Sequence, residues 1–122
     1  MTPKALRVLV VEDEALVRML VVDSLEEAGF SVIETAHPEE ALRIIDGQAI
    51  DAVVCDVGLP VMTGPQLVAR VRLTRPGLPA LMMTGYVQQA VLDEVEQPMA
   101  VMGKPFSPED LAKKVRTLID GL

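Results

Sequence analysis

Ala52-Val53-Val54-Cys55-Asp56-Val57-Gly58-Leu59-Pro60 carries the fold in miniature. A short valine-rich run closes on a carboxylate, and Gly58 and Pro60 then turn the chain. The run is apolar at every position rather than every second one, so Ala52 to Asp56 reads as a strand covered on both faces, as in a parallel sheet. Working outward, Arg7 to Val11, Ser31 to Thr35, Ala80 to Thr84 and residues 100–103 repeat the pattern. Segments of helical period separate them. Residues 14–28 place Val17, Leu20, Val21, Leu25 and Ala28 on one side, which is expected to pack on the sheet, and stop at Gly29. Pro38 marks the first turn of a second helix, and Pro65 after Gly64 that of a third. Ser107 with Pro108 and Asp110 resembles a capping box and opens a fifth. Residues 86–95 carry the fewest signals and read as the fourth. Strands alternating with helices predict an α/β fold with a parallel sheet.

A chain of 122 residues suits one domain. With no repeat, linker or low-complexity tract, residues 1–122 are expected to form a single unit with its core between residues 6 and 119. The chain is expected to end with the fifth helix, leaving nothing for an output domain. Half the residues are hydrophobic and the mean hydropathy is +0.34, yet no apolar run approaches the ~20 residues of a membrane-spanning helix. Residues 1–6 hold no stretch long enough for a signal peptide. The lone Cys55 allows no internal disulfide and suits a reducing compartment. A cytoplasmic protein without membrane contact is expected. A net charge of −7 argues against direct nucleic-acid binding, which draws on Lys and Arg against phosphates.

In an open parallel sheet the ligand sits at the carboxyl ends of the strands. Glu12, Asp13 and Glu14 follow the first strand, Asp56 and Thr84 end the third and fourth, and Lys104 follows the fifth. Carboxylates without a nearby Cys or His pair suit a hard cation, magnesium before zinc. Lys104 would balance the negative charge. An aspartate can attack phosphorus to give an acyl phosphate, with the cation, Thr84 and Lys104 stabilising charge on the transferring oxygens.

These residues fall into motifs: Val10-Val11-Glu12-Asp13-Glu14, Asp56-Val57-Gly58-Leu59-Pro60 with Gly64, Met83-Thr84-Gly85, and Gly103-Lys104-Pro105-Phe106. In that order, from Leu6 to Ile119, the chain resembles the receiver domains of bacterial two-component response regulators, including single-domain chemotaxis regulators and receivers attached to kinases. The resemblance implies a flavodoxin-like, doubly wound (βα)5 fold with strand order 2-1-3-4-5. It implies Asp56 as phosphoacceptor for a histidine kinase or histidine phosphotransfer protein. Asp13, Asp56 and the Gly58 carbonyl would be Mg2+ ligands, with Glu12 a ligand through water. Thr84 would hydrogen-bond the phosphoryl group and Lys104 pair with it. A cis peptide before Pro105 is also implied.

Two departures from the family pattern bear on mechanism. Val101 stands where many such receivers carry an aromatic switch residue, and Tyr86 stands two residues after Thr84 instead. Tyr86 is expected to cover the site in part and slow phosphate loss. Gly58 offers no side chain to orient water near Asp56, and Gly85 leaves room beside Thr84 for a phosphohistidine. On the first helix Leu16, Met19 and Val22 lie off the sheet-facing stripe. They form an expected partner surface, since similar receivers present that helix to a kinase or phosphotransfer bundle; the plainer reading is peripheral core. Cys55 reads as a buried inert thiol and the methionines near strands four and five as core filling. His37 reads as a residue flanking the second helix. Two other functions stay open: a binding-only receiver, and a phosphohydrolase of the haloacid-dehalogenase kind. The latter needs a second aspartate where Gly58 stands.

Overall fold

The computed structural model describes residues 5–85, 93 and 95–121. Five parallel strands, β1 (Arg7–Val11), β2 (Ser31–Thr35), β3 (Ala52–Asp56), β4 (Ala80–Thr84) and β5 (Met99–Gly103), form one sheet in the order β2-β1-β3-β4-β5. This is the flavodoxin-like order. Four strands keep their predicted bounds, and β5 begins one residue early because Met99 pairs with Ala80. The helices among the described residues are α1 (Ala15–Glu27), α2 (Pro38–Gly47), α3 (Gly64–Thr74) and α4 (Pro108–Asp120), the fifth of those predicted. The predicted helix over 86–95 lies almost wholly outside the described residues, and so does Tyr86.

Because strand side chains alternate between faces, the apolar runs feed two cores. Leu9, Val11, Val53, Cys55, Ala80 and Met82 meet Ala41 and Ile45 of α2 and Leu67, Val68 and Val71 of α3. Val8, Val10, Val54, Leu81 and Met83 meet Val21 and Leu25 of α1 and Leu111 and Val115 of α4. Met82 and Met83 are fully buried, as core filling predicts. Arg72 joins α3 to the start of the fourth and fifth strands, donating to the main-chain oxygens of Leu78, Glu96 and Pro98.

α1 corrects its sequence reading. Leu20 and Ala28 are exposed, while Val22, placed by its sequence position on the partner surface, is buried with Val21 and Leu25. The reason is where α4 begins. Ser24 donates from Oγ to the Pro108 oxygen at 2.6 Å, so α4 starts to cover α1 at that turn, and Leu20, one turn earlier, lies beyond it. The exposed apolar strip is therefore Leu16, Met19 and Leu20, at i, i+3 and i+4 on one helical face.

The loop from β3 to α3 carries one strained residue. Val61 has φ of 70°, in the left-handed region, and is 89% exposed. A β-branched residue there costs about 1–2 kcal/mol, and its side chain recovers little by packing. Val61→Gly is expected to raise stability by about 1 kcal/mol after glycine's extra unfolded-state freedom, or ~3–5 °C in melting midpoint. Thermal unfolding followed by circular dichroism checks this; a lower midpoint would show the strain to be relieved elsewhere.

Candidate functional site

Strand register assembles the site. Val11 pairs with Cys55, which sets Glu12 beside Asp56; Asp56 pairs with Met83, which sets Thr84 one step beyond; Thr84 pairs with Gly103, which leaves Lys104 next. The Lys104 amide donates to the Thr84 oxygen at 2.8 Å and continues that alignment past the sheet.

Glu12 is 1% exposed and fully engaged. Its amide donates to the Thr35 oxygen at 3.1 Å, its Oε2 accepts from the Glu14 amide at 3.0 Å, and its Oε1 accepts from Lys104 Nζ at 3.1 Å. The Glu14 amide opens α1, so a carboxylate lies where the helix presents unpaired N–H groups. Burial pushes the Glu12 carboxyl up from its ordinary value. The Glu14 and Lys104 contacts oppose that push, and the Asp56 charge adds to it. Lys104 also reaches Asp56 Oδ1 at 2.8 Å. Burial alone would lower the Lys104 ammonium, but hydrogen bonds to Asp56 and Glu12 outweigh it, so its pKa is raised. The other Asp56 oxygen, Oδ2, accepts from the Gly58 amide at 3.0 Å.

Carboxylate oxygens of Glu12, Asp13 and Asp56 all lie within 4.8 Å of one another, the one group of this kind among the described residues. Three carboxylates against the single Lys104 ammonium leave a formal charge of two minus. An all-oxygen donor set with that excess fits a hard divalent ion that keeps several of its waters, which is the habit of Mg2+. Asp13 is exposed and Asp56 partly so, which leaves both open to a ligand.

The neighbours fall into two kinds. Gly58 lies close: a Cβ there would stand 3.5 Å from Asp56 Oδ2, so its absence keeps that side of the carboxylate bare. A Cβ on Gly85 would meet nothing within 4 Å among the described residues. Val101 is partly buried and its main-chain oxygen accepts from Lys114 Nζ at 3.0 Å. Cys55 is inert: burial first, and the Asp56 and Glu12 charges second, push its thiol up to about 12. His37 occupies the N-cap of α2, donating its amide to Thr35 Oγ1, and takes no part in the acidic group. The peptide before Pro105 is cis, as the resemblance implies.

The response regulator receiver domain family matches residues 8–116. The chain belongs to that family. Relatives agree with this. Over 117 residues the chain is 37% identical to the sensor kinase CckA of Brucella abortus, a match covering 93% of this chain and 12% of that kinase. The chemotaxis protein CheY4 of Vibrio cholerae superposes with a TM-score of 0.89 at 31% identity, over 94% of this receiver and 99% of CheY4. The receiver of the Pseudomonas aeruginosa sensor histidine kinase PA1611, solved with a magnesium ion coordinated in its active-site cleft, shares the fold. Its TM-score is 0.85 at 23% identity, over 96% of this receiver and 99% of that one. The receiver spans about half the length of the transcriptional regulators it also matches. It is thus a two-component signalling module whose acidic group is compatible with Mg2+ and phosphorylation.

Sequence reasoning missed Arg18 and Glu34. Arg18 Nε pairs with Glu34 Oε1 at 3.1 Å, and its Nη1 donates to the Glu12 main-chain oxygen at 2.9 Å. No local spacing marks this contact, because it joins α1 to the ends of two strands.

Proposed function

We propose that Asp56 accepts a phosphoryl group from the phosphohistidine of a histidine kinase or histidine phosphotransfer protein. One observation carries this reading: a partly exposed aspartate stands within 4.8 Å of two further carboxylates and is ion-paired at 2.8 Å to a lysine. A carboxylate oxygen of Asp56 attacks phosphorus, an O–P bond forms and the P–N bond breaks, and the electron pair leaves with the imidazole. Asp13, Asp56 and the Gly58 carbonyl would hold Mg2+, with Glu12 through water; the ion would supply charge stabilisation on the phosphoryl oxygens. Lys104, already at hydrogen-bond distance from Asp56, would follow the added negative charge, and Thr84 would hydrogen-bond an oxygen. The bare flank at Gly58 orients no water, which favours a long-lived phosphoaspartate. The strip of Leu16, Met19 and Leu20 beside Asp13 is the surface we assign to the donor's helices, in a cytoplasmic exchange. The charge added on phosphorylation, about −1.5 to −2, would alter contacts with partners.

Two rivals are weaker. A phosphohydrolase needs a second carboxylate where Gly58 stands, and a binding-only receiver gives no reason for the Glu12, Lys104 and Asp56 chain to be complete. Incubation with acetyl phosphate or phosphoramidate, with and without Mg2+, is expected to add one phosphoryl group only when Mg2+ is present. Intact-mass measurement reads it. No gain from these donors or from a phosphohistidine protein would move the assignment to the binding-only receiver.

A further inference from the structure

Arg18 is the only side chain described that grips the main chain of the acidic loop from α1. Its guanidinium donates to the Glu12 carbonyl oxygen at 2.9 Å, while the amide of the same residue is held by the Thr35 oxygen at 3.1 Å. Its own amide is fixed in the first turn of α1 by the Glu14 oxygen at 2.9 Å. The carbonyl it grips belongs to the peptide that leads into Asp13, so its direction sets where Asp13 begins. Asp13, unlike Glu12, has no side-chain hydrogen bond to anchor it among those the structure shows, and it is exposed. Glu34 holds the guanidinium from the other side, and its charge offsets a cation that would otherwise oppose a metal ion nearby.

We propose that Arg18 is a positioning residue for the cation site: by fixing the Glu12–Asp13 peptide it presets the Asp13 carboxylate, and Glu34 holds and neutralises it for that task. This rests on the acidic group being the Mg2+ site. Geometry and charge then act in opposite directions. Removing Arg18 deletes a positive charge, which taken alone tightens Mg2+ binding; loosening the peptide weakens it. Groups that orient metal ligands from behind typically change affinity by 10–100-fold.

The test is an NMR titration of the full chain with MgCl2, following the Gly58 amide, which donates to Asp56 Oδ2. Arg18→Met is expected to bind Mg2+ roughly tenfold more weakly than wild type, at the low end of that range. Arg18→Lys, which keeps the charge and a donor, should recover much of the loss. If Arg18→Met does not fold, Arg18→Gln gives the same comparison of sign, being uncharged and too short to reach as arginine does. Unchanged or tighter binding in the folded neutral variant would overturn the proposal, whatever its melting temperature does. A wild-type spectrum indifferent to MgCl2 would instead overturn the Mg2+ reading, and this inference with it.

Discussion

Asp56→Asn is expected to abolish phosphoryl uptake from acetyl phosphate while leaving the fold intact. An amide oxygen is a poor nucleophile towards phosphorus and leaves no acyl phosphate of the same kind, so intact mass should show no gain at any Mg2+ concentration. Loss of activity alone would not separate chemistry from misfolding, and the charge arrangement supplies the second readout. Glu12, Asp13 and Asp56 repel one another within 4.8 Å, and the Asp56 charge is one of the influences raising the Glu12 carboxyl. Asparagine removes that repulsion. It also removes the 2.8 Å ion pair to Lys104, but Lys104 retains Glu12 at 3.1 Å. The variant should therefore melt no lower than wild type in Mg2+-free buffer. With Mg2+ at ten times its dissociation constant the wild type gains about 1.4 kcal/mol by mass action, or ~4–7 °C, and the variant should gain much less. Differential scanning calorimetry with and without Mg2+ reads both effects. Phosphoryl uptake at the wild-type level would show that another residue is the acceptor.

The parts of this site that the sequence announces are those set by strand ends. Five apolar runs fix five strands, and a parallel register then brings whatever follows β1, β3, β4 and β5 to one edge, so Glu12, Asp13, Asp56, Thr84 and Lys104 were legible together. What the sequence hid depends on contacts between elements. The periodicity of α1 alone gave Leu20 and Val22 the wrong sides, because it carries no information on where α4 starts to cover the helix. The Arg18 grip on Glu12 and the Arg72 grip on three carbonyls tie a helix to the ends of strands or to the loops before them, and neither has a local signature. One feature was legible and passed over: Thr63-Gly64-Pro65-Gln66 has the spacing of a capping box, and Thr63 and Gln66 do bond each other's amides at 3.2 and 3.0 Å.

Gly64, inside that box, is where stability and chemistry meet most closely. A Cβ built on it would lie 2.5 Å from the Asp56 main-chain oxygen, 3.1 Å from Val57 Cα and 3.2 Å from the Asp56 carbonyl carbon. All three are backbone atoms and none can rotate away. Nor can either element give easily. The Val57 amide is tied to the Met83 oxygen at 2.9 Å, and the Gly64 amide to the Val57 oxygen at 2.9 Å. α3 itself is locked by Leu67, Val68 and Val71 in the core. Gly64→Ala therefore has to displace the end of β3, and overpacking of this kind costs about 3 kcal/mol, the top of the usual range. The melting midpoint should fall by roughly 10 °C. Since the displaced backbone is that of Asp56, the loss should also appear in chemistry. Well below the midpoint, and at saturating Mg2+, phosphorylation by acetyl phosphate should slow by at least about tenfold, as misplacement of a reacting group near 1 Å can cost ~100-fold. Gly85→Ala provides the contrast, since a Cβ there meets nothing within 4 Å among the described residues and should change the midpoint little. A Gly64→Ala protein as stable as wild type would mean that the close approach of α3 to β3 can relax. If it melted low yet phosphorylated at the wild-type rate, Asp56 would be held by its side-chain partners Lys104 and Gly58 rather than by the backbone beneath it.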